Sequence, residues 1–105
     1  MLRILIADDE YLAIEAVKKI IKNNIEDVNI VATASSGKEA IIKVNELSPD
    51  IAIMDIQMPG IDGLEAIRQI KASNPNILFI VLTAYDLFDY AKESIGLGAV
   101  EYLLK

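Results

Sequence analysis

Ile77-Leu78-Phe79-Ile80-Val81-Leu82 is a run of six apolar residues with no polar break, set between Asn74-Pro75 and Thr83. It is too short for a buried helix and rich in β-branched and aromatic side chains, so it reads as a central strand covered on both faces, the signature of a parallel sheet. Working outward, the preceding segment opens at Pro59-Gly60-Ile61-Asp62-Gly63, where Asp62 and Glu65 are placed to cap a helix that Asn74-Pro75 closes. Before that turn, Ile51-Ala52-Ile53-Met54 is a second short apolar run, ending at Asp55.

The same alternation continues to both ends of the chain. Arg3-Ile4-Leu5-Ile6-Ala7 is the first strand, followed by a helix to about Ile21 in which Ile14, Val17 and Ile21 share a face with Ala13 and Ile20 alongside. Val28-Asn29-Ile30-Val31-Ala32 is a shorter strand, and Ser36 with Glu39 forms a capping box for a helix whose stripe is Ala40, Ile41, Val44 and Leu47, ended by Pro49. After Thr83, Asp86 caps a fourth helix to Ile95, glycine at 96 or 98 terminates it, and Val100-Glu101-Tyr102-Leu103-Leu104 is the fifth strand. Five strands and four helices in alternation predict an α/β, flavodoxin-like doubly wound parallel sheet forming one domain over residues 1–105. The strand order expected is 2-1-3-4-5, with the short, Asn29-bearing second strand at an edge and the switch point between the first and third strands.

The 105 residues include ten Lys and Arg against sixteen Asp and Glu, a net charge of −6, which disfavours direct binding to nucleic acid. There is no Cys and no His, so disulfides, thiolate metal sites, thiol nucleophiles and imidazole bases are excluded. No apolar run approaches the ~20 residues that cross a bilayer, and Met1 leads directly into a strand, so a cytoplasmic, soluble protein is expected.

In a parallel sheet all carboxyl ends lie on one rim, and here that rim gathers Asp8-Asp9, Asp55, Thr83 and Lys105 from four distant stretches. The first loop is Asp-Asp-Glu where a nucleotide binder needs glycines, and neither G-x-G-x-x-G nor G-x-x-x-x-G-K-[ST] occurs. Clustered carboxylates without softer ligands favour Mg²⁺, with Mn²⁺ as its substitute. Asp55 stands between the acidic pair and the Thr83 and Lys105 side, as a carboxylate nucleophile towards phosphorus would. Singly, each residue has a plainer reading. Asp8-Asp9 could cap the first helix, Asp55 could belong to a turn, Thr83 could end a strand, Lys105 could be a solvated charge, and Tyr102 could be half-buried core.

Taken together, Ile6-Ala7-Asp8-Asp9-Glu10, Asp55-Ile56-Gln57-Met58-Pro59-Gly60-Ile61-Asp62-Gly63, Leu82-Thr83-Ala84 and Gly98-Ala99-Val100-Glu101-Tyr102-Leu103-Leu104-Lys105 resemble receiver domains of two-component response regulators. The likeness spans the whole chain. It implies that Asp55 is the phosphoacceptor, served by a histidine kinase, and that Asp8, Asp9, Asp55 and the Gln57 backbone carbonyl hold Mg²⁺. It further implies that Thr83 and Lys105 grip the phosphoryl oxygens and that Thr83 and Tyr102 form the switch, altering the face made by the fourth helix and fifth strand. Gln57 and Tyr85 occupy positions that tune phosphate lifetime in this family. The segment Tyr85–Ile95 looks like that of receivers attached to arabinose-regulator-type helix-turn-helix transcription factors, which implies a DNA-binding output part outside this chain. On this reading the domain is no enzyme with a separate turnover substrate, but a self-phosphorylating acceptor with slow autodephosphorylation.

Receivers of this type continue past the lysine with a proline and a fifth helix, whereas this sequence stops at Lys105. The sequence reading therefore expects uncovered apolar area on the first, third and fifth strands, lowering stability or calling for a partner chain, with homodimerisation left open. It also places the terminal carboxylate beside Lys105, as a competitor for that ammonium. Two other functions stay open at this stage. One is an aspartate-nucleophile phosphatase, disfavoured because Asp8-Asp9-Glu10 replaces Asp-x-Asp; the other is a phosphorylation-independent interaction module.

Overall fold

The computed structural model describes residues 1–56, 58, 60, 63–83 and 101–104, with residue 83 and residues 101–104 described by their backbone. The chain runs β1 (Leu2–Ala7), α1 (Tyr11–Asn24), β2 (Val28–Ala34), α2 (Gly37–Leu47), β3 (Ile51–Asp55), α3 (Gly63–Ser73), β4 (Leu78–Thr83) and β5 (Glu101–Leu104). All strand pairs are parallel and the order is β2-β1-β3-β4-β5, as expected from the sequence pattern. The fourth helical segment and the Asp62 cap lie outside the described residues.

Parallel strands bury side chains on both faces, and the two faces differ here. Leu5, Ala7, Ala52, Met54, Phe79 and Val81 point to one side, where Ala40 and Val44 of α2 and Leu64, Ile67 and Ile70 of α3 close over them. Ile4, Ile6 and Ile53 point to the other, against Ile14 and Ile21 of α1, with Ile51, Ile80 and Leu82 only partly buried. The run that decides the fold is thus covered unequally: Ile77, Phe79 and Val81 are sealed, while Leu78, the first residue of β4, is exposed. The α1 stripe is also narrower than the sequence pattern expects. Ile14 and Ile21 are buried but Ile20, 100° around the helix from Ile21, is 62% exposed.

Local chemistry sets the helix ends. Ser36 caps α2, its Oγ accepting the Glu39 N–H at 3.1 Å, while the Glu39 carboxylate accepts the N–H of Ser35, one residue earlier than a standard box, at 3.1 Å. The same helix stops at Leu47, one turn-forming residue before Pro49: Ser48 takes the left-handed conformation at φ 48° and donates its N–H to Val44 O. Lys71, in the last turn of α3, donates to the carbonyls of Pro75 (3.1 Å) and Ile77 (2.8 Å) and lies 5.9 Å over the Phe79 ring, fixing where β4 begins.

β1 and β2 pair with a register shift between Ile4 and Leu5, so that Ile4 faces Ile30 but Leu5 faces Ala32. Beyond the shift, Ala7 is opposite Ala34 on one side and Met54 on the other, and the Asp8 N–H donates to Ala34 O at 3.0 Å. That bond carries the β1 line one residue past its last strand position, and it holds Asp8 at the rim.

Candidate functional site

Asp8 follows β1 directly and is 1% exposed, a burial that carboxylates seldom accept without compensating chemistry. Its Oδ1 accepts the N–H of Glu10 at 3.0 Å, which folds the Asp8-Asp9-Glu10 loop back on itself. Glu10 is the N-cap of α1 and makes no side-chain capping bond. Asp8, Asp9 and Glu10 each offer a carboxylate oxygen, and these three atoms lie within 4.8 Å of one another. Asp8 is the buried member and the other two face solvent. Three convergent carboxylate oxygens with no nitrogen or sulfur donor form a hard donor set, suited to Mg²⁺ that keeps part of its water shell.

Asp55 closes β3 and is 3% exposed. Ala7 pairs with Met54, so Asp8 and Asp55 continue neighbouring parallel strands, whose spacing is about 4.8 Å. On its other side Asp55 pairs with Leu82, and the following Ile56 N–H donates to Leu82 O at 3.3 Å. Thr83 is the last residue of β4 and pairs with Leu104, while Tyr102 pairs with Val81. Asp8, Asp55 and Thr83 thus reach the carboxyl rim of the three central strands, where an open α/β sheet binds its ligands. Gln57, Lys105 and Tyr85 lie outside the described residues.

Two residues not singled out by the sequence reading emerge at this rim. Glu10 joins the aspartates as a third carboxylate, a role already visible in the unbroken Asp-Asp-Glu run. Gly63, first residue of α3, is buried and donates its N–H to Ile56 O at 2.7 Å. The Gly60-x-x-Gly63 spacing marks a turn in the sequence but does not reveal what Gly63 approaches.

An open doubly wound sheet of flavodoxin-like topology with an acidic ligand rim defines the class to which this domain conforms. More specifically, the chain belongs to the response regulator receiver domain family, whose model matches residues 4–105. It is 40% identical over 105 residues to the uncharacterized transcriptional regulatory protein YesN of Bacillus subtilis, covering all of this chain and 28% of that protein. It is 38% identical to the chemotaxis protein CheY of Listeria monocytogenes, covering all of this chain and 87% of that protein. Among solved structures, the receiver domain of AraT, a response regulator from Geobacillus stearothermophilus, superposes with a TM-score of 0.92 at 38% identity, covering 99% of this chain and 81% of that one. The chain spans 28% to 49% of the length of the transcriptional regulators YesN and the Pseudomonas viridiflava response regulator GacA. No helix among the described residues is long and apolar enough to cross a membrane.

Proposed function

We propose that this domain is a phosphorylation-dependent switch whose acceptor is Asp55. The observation that carries the reading is the buried Asp55 carboxylate at the end of β3, one strand from the convergent Asp8, Asp9 and Glu10 oxygens. A carboxylate oxygen of Asp55 attacks phosphorus; the P–N bond of a partner's phosphohistidine, or the P–O bond of a small acyl phosphate, breaks, and the departing group keeps the electron pair. An acyl phosphate on Asp55 results. The phosphohistidine donor is that of a histidine kinase.

Asp8, Asp9 and Asp55 would hold Mg²⁺ with the Gln57 carbonyl, Glu10 being placed to take a water of its shell. Bound there, the ion neutralises charge that builds up as phosphoryl transfer proceeds. Thr83 and Lys105 take the phosphoryl oxygens, and Thr83 and Tyr102 relay the change to the face of β4, β5 and the segment between them. That Thr83 and Tyr102 lie on adjacent paired strands supports this reading. The domain is a stoichiometric acceptor with slow self-dephosphorylation and not a turnover enzyme. It works in the cytoplasm, and its output is transcriptional through a DNA-binding part outside this chain, as in the regulators it resembles.

Incubation with acetyl phosphate and Mg²⁺, read by intact mass, tests the reading. A single phosphate adduct is expected, absent from Asp55→Asn and from a sample with chelator. Folded wild-type protein that never gains the adduct overturns it in favour of a phosphorylation-independent interaction module.

A further inference from the structure

The peptides on either side of Ile56 are each held by a neighbouring element. From the sheet, the Ile56 N–H donates to Leu82 O of β4. From the helix, the Gly63 N–H donates to Ile56 O at 2.7 Å, and the Gly63 Cα sits so close that a Cβ built there would collide with Asp55 O and stand 2.7 Å from Ile56 Cα and 3.1 Å from Asp55 C. All three obstacles are backbone atoms, so no side-chain rotation can relieve them. Gly60, three residues earlier, offers the contrast: it has φ +76° and nothing within 4 Å of the same construction. One glycine serves the turn, and the other serves the approach.

We infer that Gly63 is a positioning residue for phosphoryl transfer, clamping the first turn of α3 onto the Ile56 carbonyl with its Cα set against Asp55 O, and so fixing where the Asp55 carboxylate stands. The inference rests on the reading of Asp55 as the acceptor. It adds that the acceptor is aimed by the start of α3 as well as by β3. Restoring ordinary van der Waals contact to a methyl at position 63 requires the Asp55–Ile56 peptide and α3 to separate by about 1 Å. A misplacement of that size at a reacting group costs about 10²-fold in rate.

The test compares wild type, Gly63→Ala and Gly60→Asn, the last placing a residue that tolerates positive φ in open space. Phosphorylation by acetyl phosphate is followed against donor concentration at saturating Mg²⁺, well below each protein's thermal midpoint. For Gly63→Ala the maximal rate is expected to fall about 10²-fold with the half-saturating donor concentration within about threefold of wild type. Gly60→Asn is expected to keep both values. Mere loss of folding would scale the rate with the folded fraction, which circular dichroism reports. A folded Gly63→Ala protein with the wild-type maximal rate overturns the inference while leaving Asp55 as acceptor; a wild-type protein with no adduct overturns the underlying reading instead. Hydrogen exchange on the unsubstituted protein gives an independent check that needs no variant to fold. The Gly63 amide is expected to exchange only through global opening, and exchange at the rate of an exposed amide overturns the clamp.

Discussion

Replacing Asp8 with asparagine should stabilise the metal-free protein and remove its response to Mg²⁺. Asparagine keeps the shape and an Oδ1 acceptor for the Glu10 N–H, so the loop bond at 3.0 Å survives while one charge disappears. The Asp8, Asp9 and Glu10 oxygens lie within 4.8 Å of one another, a separation at which two unit charges repel by about 1 kcal/mol in water and about 3.5 kcal/mol at an effective dielectric near 20. Asp9 and Glu10 are exposed, so the lower figure governs, and relieving Asp8 of both neighbours stabilises the apo form by about 1 to 2 kcal/mol. For a domain of this length that is a rise of at least about 4 °C in thermal midpoint. Mg²⁺ separates the two proteins. At a hundred times its dissociation constant a ligand of the folded state adds about 2.7 kcal/mol to wild type, and the variant, short of its buried ligand, gains little. Thermal melts of both proteins, with chelator and with Mg²⁺ titrated, measure all four values. A variant that melts lower than wild type in chelator and still climbs with Mg²⁺ would refute both the repulsion and the ligand assignment.

Further tests address the scaffold that aims the site. Phe79→Ala empties the sealed side of β4 beneath α3 and should cost about 3 to 5 kcal/mol in urea unfolding, whereas Leu78→Ala, 47% exposed in the same strand, should cost far less; equal losses would contradict the unequal covering of the two faces. Ser36→Ala removes the α2 cap and should lower stability by about 1 kcal/mol, while Ser36→Asp should hold it near wild type, and no change in the alanine variant would mean that the cap bond contributes nothing. Lys71→Met keeps the chain over Phe79 but loses the two carbonyl bonds at the β4 entrance, for an expected loss of about 1 to 3 kcal/mol; an unchanged urea midpoint would assign Lys71 no part in that junction.

Much of this arrangement was legible in the residue order because its physics is local or periodic. The unbroken Ile77–Leu82 run identifies a central parallel strand, and right-handed crossovers leave few strand orders, the observed β2-β1-β3-β4-β5 among them; β2 is at the edge as expected but not for the shortness read in it, since Val28–Ala34 is the longest strand described. Placement of Asp8, Asp55 and Thr83 on one rim is then a consequence of topology. Boundaries were less legible: β2 reaches Ala34 and not Ala32, because pairing of Ala34 with Ala7 extends the strand through a bulge that no propensity announces. Ile20 fits the helical stripe by pattern yet stands in water, since the covered width of α1 depends on the sheet beneath it. Glu10 was in view within the acidic run, but its convergence with Asp8 depends on the Glu10 N–H folding back onto the Asp8 carboxylate. The approach of Gly63 to Asp55 O is a distance through space between residues eight apart, and sequence carries no measure of it.

The central claim is that Asp55, and no other carboxylate of the acidic rim, receives the phosphoryl group. It is tested most directly by treating the protein with acetyl phosphate and Mg²⁺, reducing the acyl phosphate with borohydride and sequencing the peptides by mass spectrometry. Homoserine is expected at position 55, with Asp8 and Asp9 recovered as aspartate. Homoserine at position 8 or 9, or none anywhere in folded protein, would contradict it.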